Sequence, residues 1–124
     1  MTRRGFTFIE ILVVMIVIGI LATLAFARLQ SSKEKGTVAS MTSDLRAVAE
    51  EQEAYYFQHR VYAPATDSLN PNYSPGNVVT ITEASAGGWS ANVSNPSTPK
   101  RCYIVVGNAA PQGTAVNDGL ISCS

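Results

Sequence analysis

An α+β fold, with one long N-terminal helix laid over a small antiparallel sheet, is what this sequence predicts, and three observations predict it. No proline occurs between Phe6 and Gln58. Within that stretch Val38, Met41, Leu45, Val48 and Tyr55, with Gln52 in register, recur at steps of three and four, the period of one helix face. After Val78 the pattern changes to short β-branched and aromatic runs separated by Gly, Pro and Asn turn signals, the mark of a strand meander.

The helix begins in an apolar segment. From Phe6 to Ala27 the only polar side chains are Thr7, Glu10 and Thr23, with Gly19 in the middle. At about 1.5 Å per residue, this length covers roughly the 30 Å hydrocarbon core of a bilayer. A carboxylate inside such a segment costs on the order of 3 kcal/mol in lipid if left unpaired. The segment holds no cation, so the compensating partner is expected on another molecule.

Three readings fit this segment. A secretory signal would have a basic start, a shorter apolar core and a small-x-small site, a form that Ala25-Phe26-Ala27 takes. A plain anchor fits the length and leaves Glu10 without a role. A segment that passes from the membrane into a protein assembly uses both the length and the charge. Charge alone does not orient it, because Arg3 and Arg4 precede it while Arg28, Lys33 and Lys35 follow.

Beyond Ala27 the helix turns amphipathic. Lys33, Lys35, Asp44, Arg46, Glu50, Glu51 and Glu53 are expected mostly on faces away from the apolar stripe. Gly36 weakens the helix locally by about 1 kcal/mol relative to alanine. The helix is expected to end near His59, since Pro64 disfavours helix at the residue before it. Residues 63–76, with Pro64, Pro71 and Pro75 among Asp67, Asn70 and Asn72, form a loop. Strands are predicted over residues 78–82, 89–93 and 102–106, with a short closing strand over 120–123. Sequential strands joined by short turns give an antiparallel sheet, one face of which packs on the helix stripe.

The 124 residues carry nine cationic and nine acidic side chains, a balance that argues against a nucleic-acid surface driven by net charge. Lys100-Arg101 is too small a basic spot to change that. Cys102 and Cys123 are the two cysteines. One pair in a small domain outside the cytoplasm reads as a disulfide, which in turn places that domain outside; two free thiols in a reducing compartment are the alternative. His59 is the single histidine, with no cluster at metal-ligand spacing around it, so no metal site and no cofactor are expected. Tyr55, Tyr56, Phe57 and Tyr62 are expected to pack at the helix–loop junction, and Trp89 in the core. No serine, cysteine or lysine sits in a nucleophile motif. Nothing points to an enzyme.

Gly5-Phe6-Thr7-Phe8-Ile9-Glu10-Ile11-Leu12-Val13-Val14, preceded by Arg3-Arg4, closely resembles the class III signal and N-terminal helix of type IV pilins and of the pseudopilins of type II secretion. A looser likeness extends over the helix, the Gly88-Trp89 strand and the cysteine pair. The resemblance implies a leader of residues 1–5, cut by a prepilin peptidase between Gly5 and Phe6 on the cytoplasmic side, and N-methylation of Phe6. It implies assembly with identical subunits into a helical filament, Glu10 meeting a neighbour's N-terminal amine, after an inner-membrane stage with the C-terminal domain outside the cytoplasm. By the same likeness, Cys102 and Cys123 are the pair that closes the C-terminal loop in many pilins. The implied organisation is a membrane or filament-core helix over 6–27, its amphipathic half over 28–58, a loop over 59–77 and a sheet with a disulfide loop over 78–124. Many pilins have a proline where this chain has Ala27, which leaves Gly19 as the helix weak point.

Within that resemblance a pilus subunit competes with a secretion pseudopilin. Major pseudopilins usually carry a calcium site in the C-terminal loop and lack this disulfide, whereas Asp118 is the single acid here after Ala86. The expectation is therefore a pilin, with the pseudopilin as alternative. A membrane-tethered periplasmic binding module, with an intact N-terminus, is the reading from another class.

Overall fold

The computed structural model describes residues 4–69 and 72–124; Arg3 of the expected leader and Asn70 and Pro71 of the expected loop lie outside them. The chain forms two compact units, residues 1–33 and 34–124. Helix α1 spans Phe8–His59 and is continuous through Gly19 and Gly36. Nothing lies within 4 Å of where a Cβ would stand at either glycine, so neither is there to admit a close neighbour. The helix stops at Arg60, a non-glycine residue at φ 60°, whose N–H still bonds to the Tyr56 carbonyl at 2.8 Å. That left-handed step, four residues ahead of Pro64, turns the chain back.

In the second unit the amphipathic part of α1 packs on an antiparallel sheet of four strands in the order β1-β2-β3-β4. These are β1 (Val78–Ala84), β2 (Gly88–Ser94), β3 (Arg101–Gly107) and β4 (Ser122–Cys123). Met41, Leu45, Val48 and Gln52 are fully buried, and Val38 and Tyr55 flank them, as the spacing predicts. Their partners are Val79, Trp89, Ala91, Val93, Cys102 and Ile104 from the inner face of the sheet. Gln52 is satisfied inside this core by both backbone groups of one residue: Ala63 N–H donates to its Oε1 at 2.7 Å, and its Nε2 donates to the Ala63 carbonyl at 3.0 Å. A buried amide paired this way ties the returning chain to the helix.

The strands run longer than their apolar cores. β1 continues to Ala84 through a register shift between Ile81 and Glu83, which leaves Thr82 unpaired as a bulge on the edge strand. β4 is shorter than expected. Gly119 takes φ 73° and donates its N–H to the Val105 carbonyl at 2.7 Å, and Leu120 and Ile121, which follow this turn, lie outside the ladder. The loop before β4 covers the outer face of the sheet with a second small core of Val105, Ala109 and Ala115, packed by Tyr103. Gly107 has to be glycine: its φ is 68°, and a Cβ there would run into the Gly87 carbonyl.

Two expectations need correction. Asp44 does not face away from the core; it is 4 % exposed, three residues from Met41 and four from Val48, within the buried stripe. Phe57 does not pack at the junction. It is 77 % exposed, because five residues beyond Gln52 places it about 140° around the helix. The other junction aromatics do pack: Tyr56 stacks on Tyr62 at 4.7 Å, Tyr62 lies 6.4 Å from Trp89, and Tyr55 stacks on His59 at 4.0 Å.

Candidate functional site

The residues expected to act in processing and assembly, Gly5, Phe6 and Glu10, lie at the start of the first unit. Phe6 is 87 % exposed, and all the large apolar side chains from Phe8 to Leu29 are exposed as well. None of this apolar stretch is buried. It is long and apolar enough to cross a membrane. Apolar surface of this extent, at about 25 cal/mol per Å², is strongly unfavourable in water and calls for lipid or protein around it. Gly5 has open space where a Cβ would stand, so nothing in the chain's own packing requires glycine there.

Thr7 and Glu10 are joined by a geometry that the sequence reading missed. The Thr7 N–H donates to Glu10 Oε2 at 2.8 Å, and the Glu10 N–H donates to Thr7 Oγ1 at 3.3 Å. The Thr7 carbonyl accepts from the N–H groups of Glu10 and Ile11 at 3.1 and 3.3 Å. This is a reciprocal capping box, and the signal for it, Thr-x-x-Glu directly ahead of an apolar run, stands in the sequence. It satisfies backbone donors at a helix end that apolar surroundings would otherwise strand. It also sets Glu10 at the positive end of the helix dipole. The donors are neutral amides, however, so the cap lowers the cost of the carboxylate without cancelling its charge. A shallow groove of about 420 Å³ runs beside it, lined by Phe6, Ile9, Ile11, Val13 and Val14, with Glu10 as its one charged member.

In the second unit, Cys102 and Cys123 form a disulfide between directly opposed residues of β3 and β4. Arg101 and Ser124 extend the pairing by exchanging backbone bonds of 2.9 and 3.0 Å, and Thr42 Oγ1 of the helix lies 3.7 Å from Cys123 Sγ. A second staple lies at the other side of the helix. Asp44 Oδ2 accepts from the Ser74 N–H at 2.9 Å and from Asn77 Nδ2 at 2.6 Å, while Oδ1 accepts from the Ser74 hydroxyl at 2.9 Å. Asn77 Oδ1 in turn accepts from Asn95 Nδ2 at 2.7 Å, so one buried carboxylate links the helix, the loop and the β2–β3 turn.

Among the described residues, no group of three or more His, Cys, Asp or Glu side chains comes together to hold a metal. Asp118 Oδ1 accepts from the Gly107 N–H at 2.7 Å, where it braces the loop before β4. His59 is exposed at the helix end, its Nδ1 3.1 Å from the Tyr55 carbonyl.

Residues 1–26 match the prokaryotic N-terminal methylation motif, a span that contains Gly5, Phe6, Thr7 and Glu10. The chain is 34 % identical over 67 residues to the type II secretion system core protein G of Escherichia coli K12, covering 54 % of this chain and 46 % of that protein. It is 37 % identical over 65 residues to core protein G of Klebsiella pneumoniae, covering 52 % and 46 % of the two chains. To the corresponding protein of Vibrio cholerae O1 it is 35 % identical over 65 residues, covering 52 % and 44 %. The alignments thus span about half the length of the curated relatives.

Proposed function

We propose that this chain, which matches the N-terminal methylation motif over residues 1–26 and is similar over about half its length to core protein G of type II secretion, is a structural subunit of a type IV pilus-like filament of the pilin and pseudopilin kind, cleaved after Gly5 and methylated on Phe6. The observation that carries the reading is Glu10, the one carboxylate of the apolar stretch between Phe6 and Ala27, whose large apolar side chains are all exposed. Cleavage creates an ammonium group on Phe6, and methylation keeps it cationic. In a filament core that excludes water, an unpaired charge of either sign costs several kcal/mol, and pairing Glu10 with a neighbour's Phe6 amine offsets most of that. Register then follows from a charge that has one matching partner. Thr7 survives cleavage with its N–H and hydroxyl, so the capping box holds the carboxylate in place while the other oxygen, Oε1, meets the amine.

In this reading the subunit first resides in the inner membrane, with residues 34–124 outside the cytoplasm. A prepilin peptidase and an inner-membrane assembly machinery are its processing and extraction partners, and identical subunits are its final ones. The mass of the N-terminal peptide from purified filaments tests processing: methyl-Phe6 is expected, and a chain still beginning at Met1 refutes it. Glu10→Val, expressed as the sole copy, tests assembly. It should be processed and remain in the membrane, and wild-type amounts of sheared filament would overturn the pairing.

The likeness to core protein G favours a second reading, a secretion pseudopilus subunit. The Cys102–Cys123 disulfide and the Asp118-braced loop favour the pilus. Deleting the gene separates them. Loss of surface filaments with normal export of secreted proteins supports the pilus, and secreted proteins trapped in the periplasm support the pseudopilus.

A further inference from the structure

The face of α1 that carries Glu10 is a preformed apolar seat. At about 100° per residue, Val13 and Val14 stand one turn beyond Glu10, about 60° and 40° to either side of it, and Ile9 and Ile11 flank it at about 100°. These four line the groove of about 420 Å³ together with Phe6. All four are β-branched, and in a helix such side chains keep essentially one χ1 rotamer. The walls are therefore set before anything binds, and filling the groove costs little ordering of its own side chains. Phe6 of the same chain precedes the helix and is 87 % exposed, so it borders the groove without filling it. Glu10 is the one charged member of the lining. Its Oε2 accepts from the Thr7 N–H at 2.8 Å, which leaves Oε1 for a partner.

A matching occupant brings a cation and an apolar group together. Residues 6–27 contain no Lys, Arg or His, so an interior stretch of a second copy's apolar segment brings the apolar group alone. An ethanolamine phospholipid brings an ammonium, but with a phosphate that apolar walls would leave unpaired. The cut end of a second copy brings both on one Cα, as the ammonium and the ring of Phe6. We propose that this groove seats the Phe6 ring of the neighbouring subunit, so that one residue is gripped at two points, its amine by Glu10 and its ring by Ile9, Ile11, Val13 and Val14. This seat presupposes the filament reading and adds to it the part of the neighbour that the groove selects. In a core without water the gain comes from close packing, not from water release. Fit of the ring therefore matters as well as charge, and the register is fixed by shape and charge at once.

The test uses filaments sheared from cells whose only copy of the chain carries an aliphatic diazirine amino acid in place of Val13 or Val14. Photolysis links that side chain to whatever touches it. The crosslinked peptide should be the neighbour's N-terminal one, beginning at Phe6. The same amino acid in place of Leu12, about 200° round the helix from Glu10, should not reach it. Exchanging sizes gives a second readout. Val13→Phe fills the groove and Phe6→Ala removes its occupant, and each should lower the amount of sheared filament several-fold. Together they should yield more filament than either alone, the coupling expected of residues in contact. The mass of the N-terminal peptide checks cleavage, and the crosslinking arm keeps the native Phe6, so it decides the matter whatever Phe6→Ala does to processing. Crosslinks to phospholipid or to an interior stretch of the neighbour overturn the seat, as does a double variant that yields no more than the better single one. Glu10→Val separates the seat from the reading beneath it. Wild-type amounts of filament refute the pairing and the seat with it, whereas lost filaments beside crosslinks that miss Phe6 refute the seat alone.

Discussion

Replacing Asp44 separates hydrogen bonding from charge in the buried staple. Asp44→Ala removes the acceptor for three donors: the Ser74 N–H, the Ser74 hydroxyl and the Asn77 amide. Bonds to a charged group are worth about 1.5–3 kcal/mol each, but they are not additive, and water reaches partly buried donors once the side chain is gone. A net loss of about 3 kcal/mol is expected. For a unit of this size that lowers the melting temperature by roughly 15 °C. Asp44→Asn has a different outcome because of how the donors are divided. Both N–H donors converge on Oδ2, and only a hydroxyl faces Oδ1. An asparagine can keep its oxygen at the Oδ2 position and donate from its nitrogen to a reversed Ser74 hydroxyl. It should cost only about 1 kcal/mol, the charge-assisted share. Adding Ser74→Ala to Asp44→Asn strands that nitrogen and should bring the loss close to that of Asp44→Ala. Urea titrations of the detergent-solubilised chain, followed by Trp89 fluorescence, measure all three. If Asp44→Asn is as damaging as Asp44→Ala, charge and not bonding geometry holds the loop, and the reasoning fails.

Thr7→Ala should cost the helix start about 1 kcal/mol and speed amide exchange at Glu10 and Ile11, yet leave filaments that Glu10→Val abolishes; equal assembly defects would mean that capping, not pairing, is the role of Glu10. Reduction of Cys102–Cys123 should lower stability by about 3 kcal/mol in the chain-entropy model and expose the amides of Arg101 and Ser124 to exchange; alkylation of native protein checks that the bridge is closed at the outset. Tyr73→Phe should leave stability unchanged or slightly raised at neutral pH, because the Tyr73 hydroxyl is buried without a hydrogen-bond partner among the described residues. Burial, with Asp44 and Glu51 nearby, raises the Tyr73 pKa above 10.0. The folded state therefore holds its proton longer than the unfolded state, and that contribution is complete below pH 10 and lost as pH rises towards the folded value. Thermal melts from neutral to alkaline pH should show a loss of stability that Tyr73→Phe reduces.

The helix stripe, the three main strands and the Trp89 core were legible because each follows a period, 3.6 or 2, that apolar residues print directly on the chain. Polar burial leaves no such print. Asp44 has the spacing of a core residue, three after Met41, but nothing in its own segment reveals that Ser74 and Asn77 return to satisfy it. Gln52 was readable because it interrupts an otherwise apolar register. The Thr7–Glu10 box is local and carries its full signature, Thr-x-x-Glu ahead of an apolar run, although the charge of the carboxylate overshadows its capping role. Phe57 shows the opposite failure: a cluster of aromatics in sequence is not a cluster in space when the helix turns one of them outward. β4 shrank to Ser122–Cys123 because Gly119 spends its N–H on Val105, a pairing that residue type does not announce.

The bulge at Thr82 has a bearing on how copies of this chain can meet. β1 is a free margin of the sheet, and a flat β-rich margin invites another copy to add on strand by strand. The misfit at Thr82 breaks the spacing that such a copy would need, and the local twist turns the donors and acceptors out of line. On the filament reading proposed above, assembly through the helix and growth through the sheet would compete for the same chains, and the bulge disfavours the second. Deleting Thr82 should straighten that margin and raise the tendency of the chain to form cross-β aggregates.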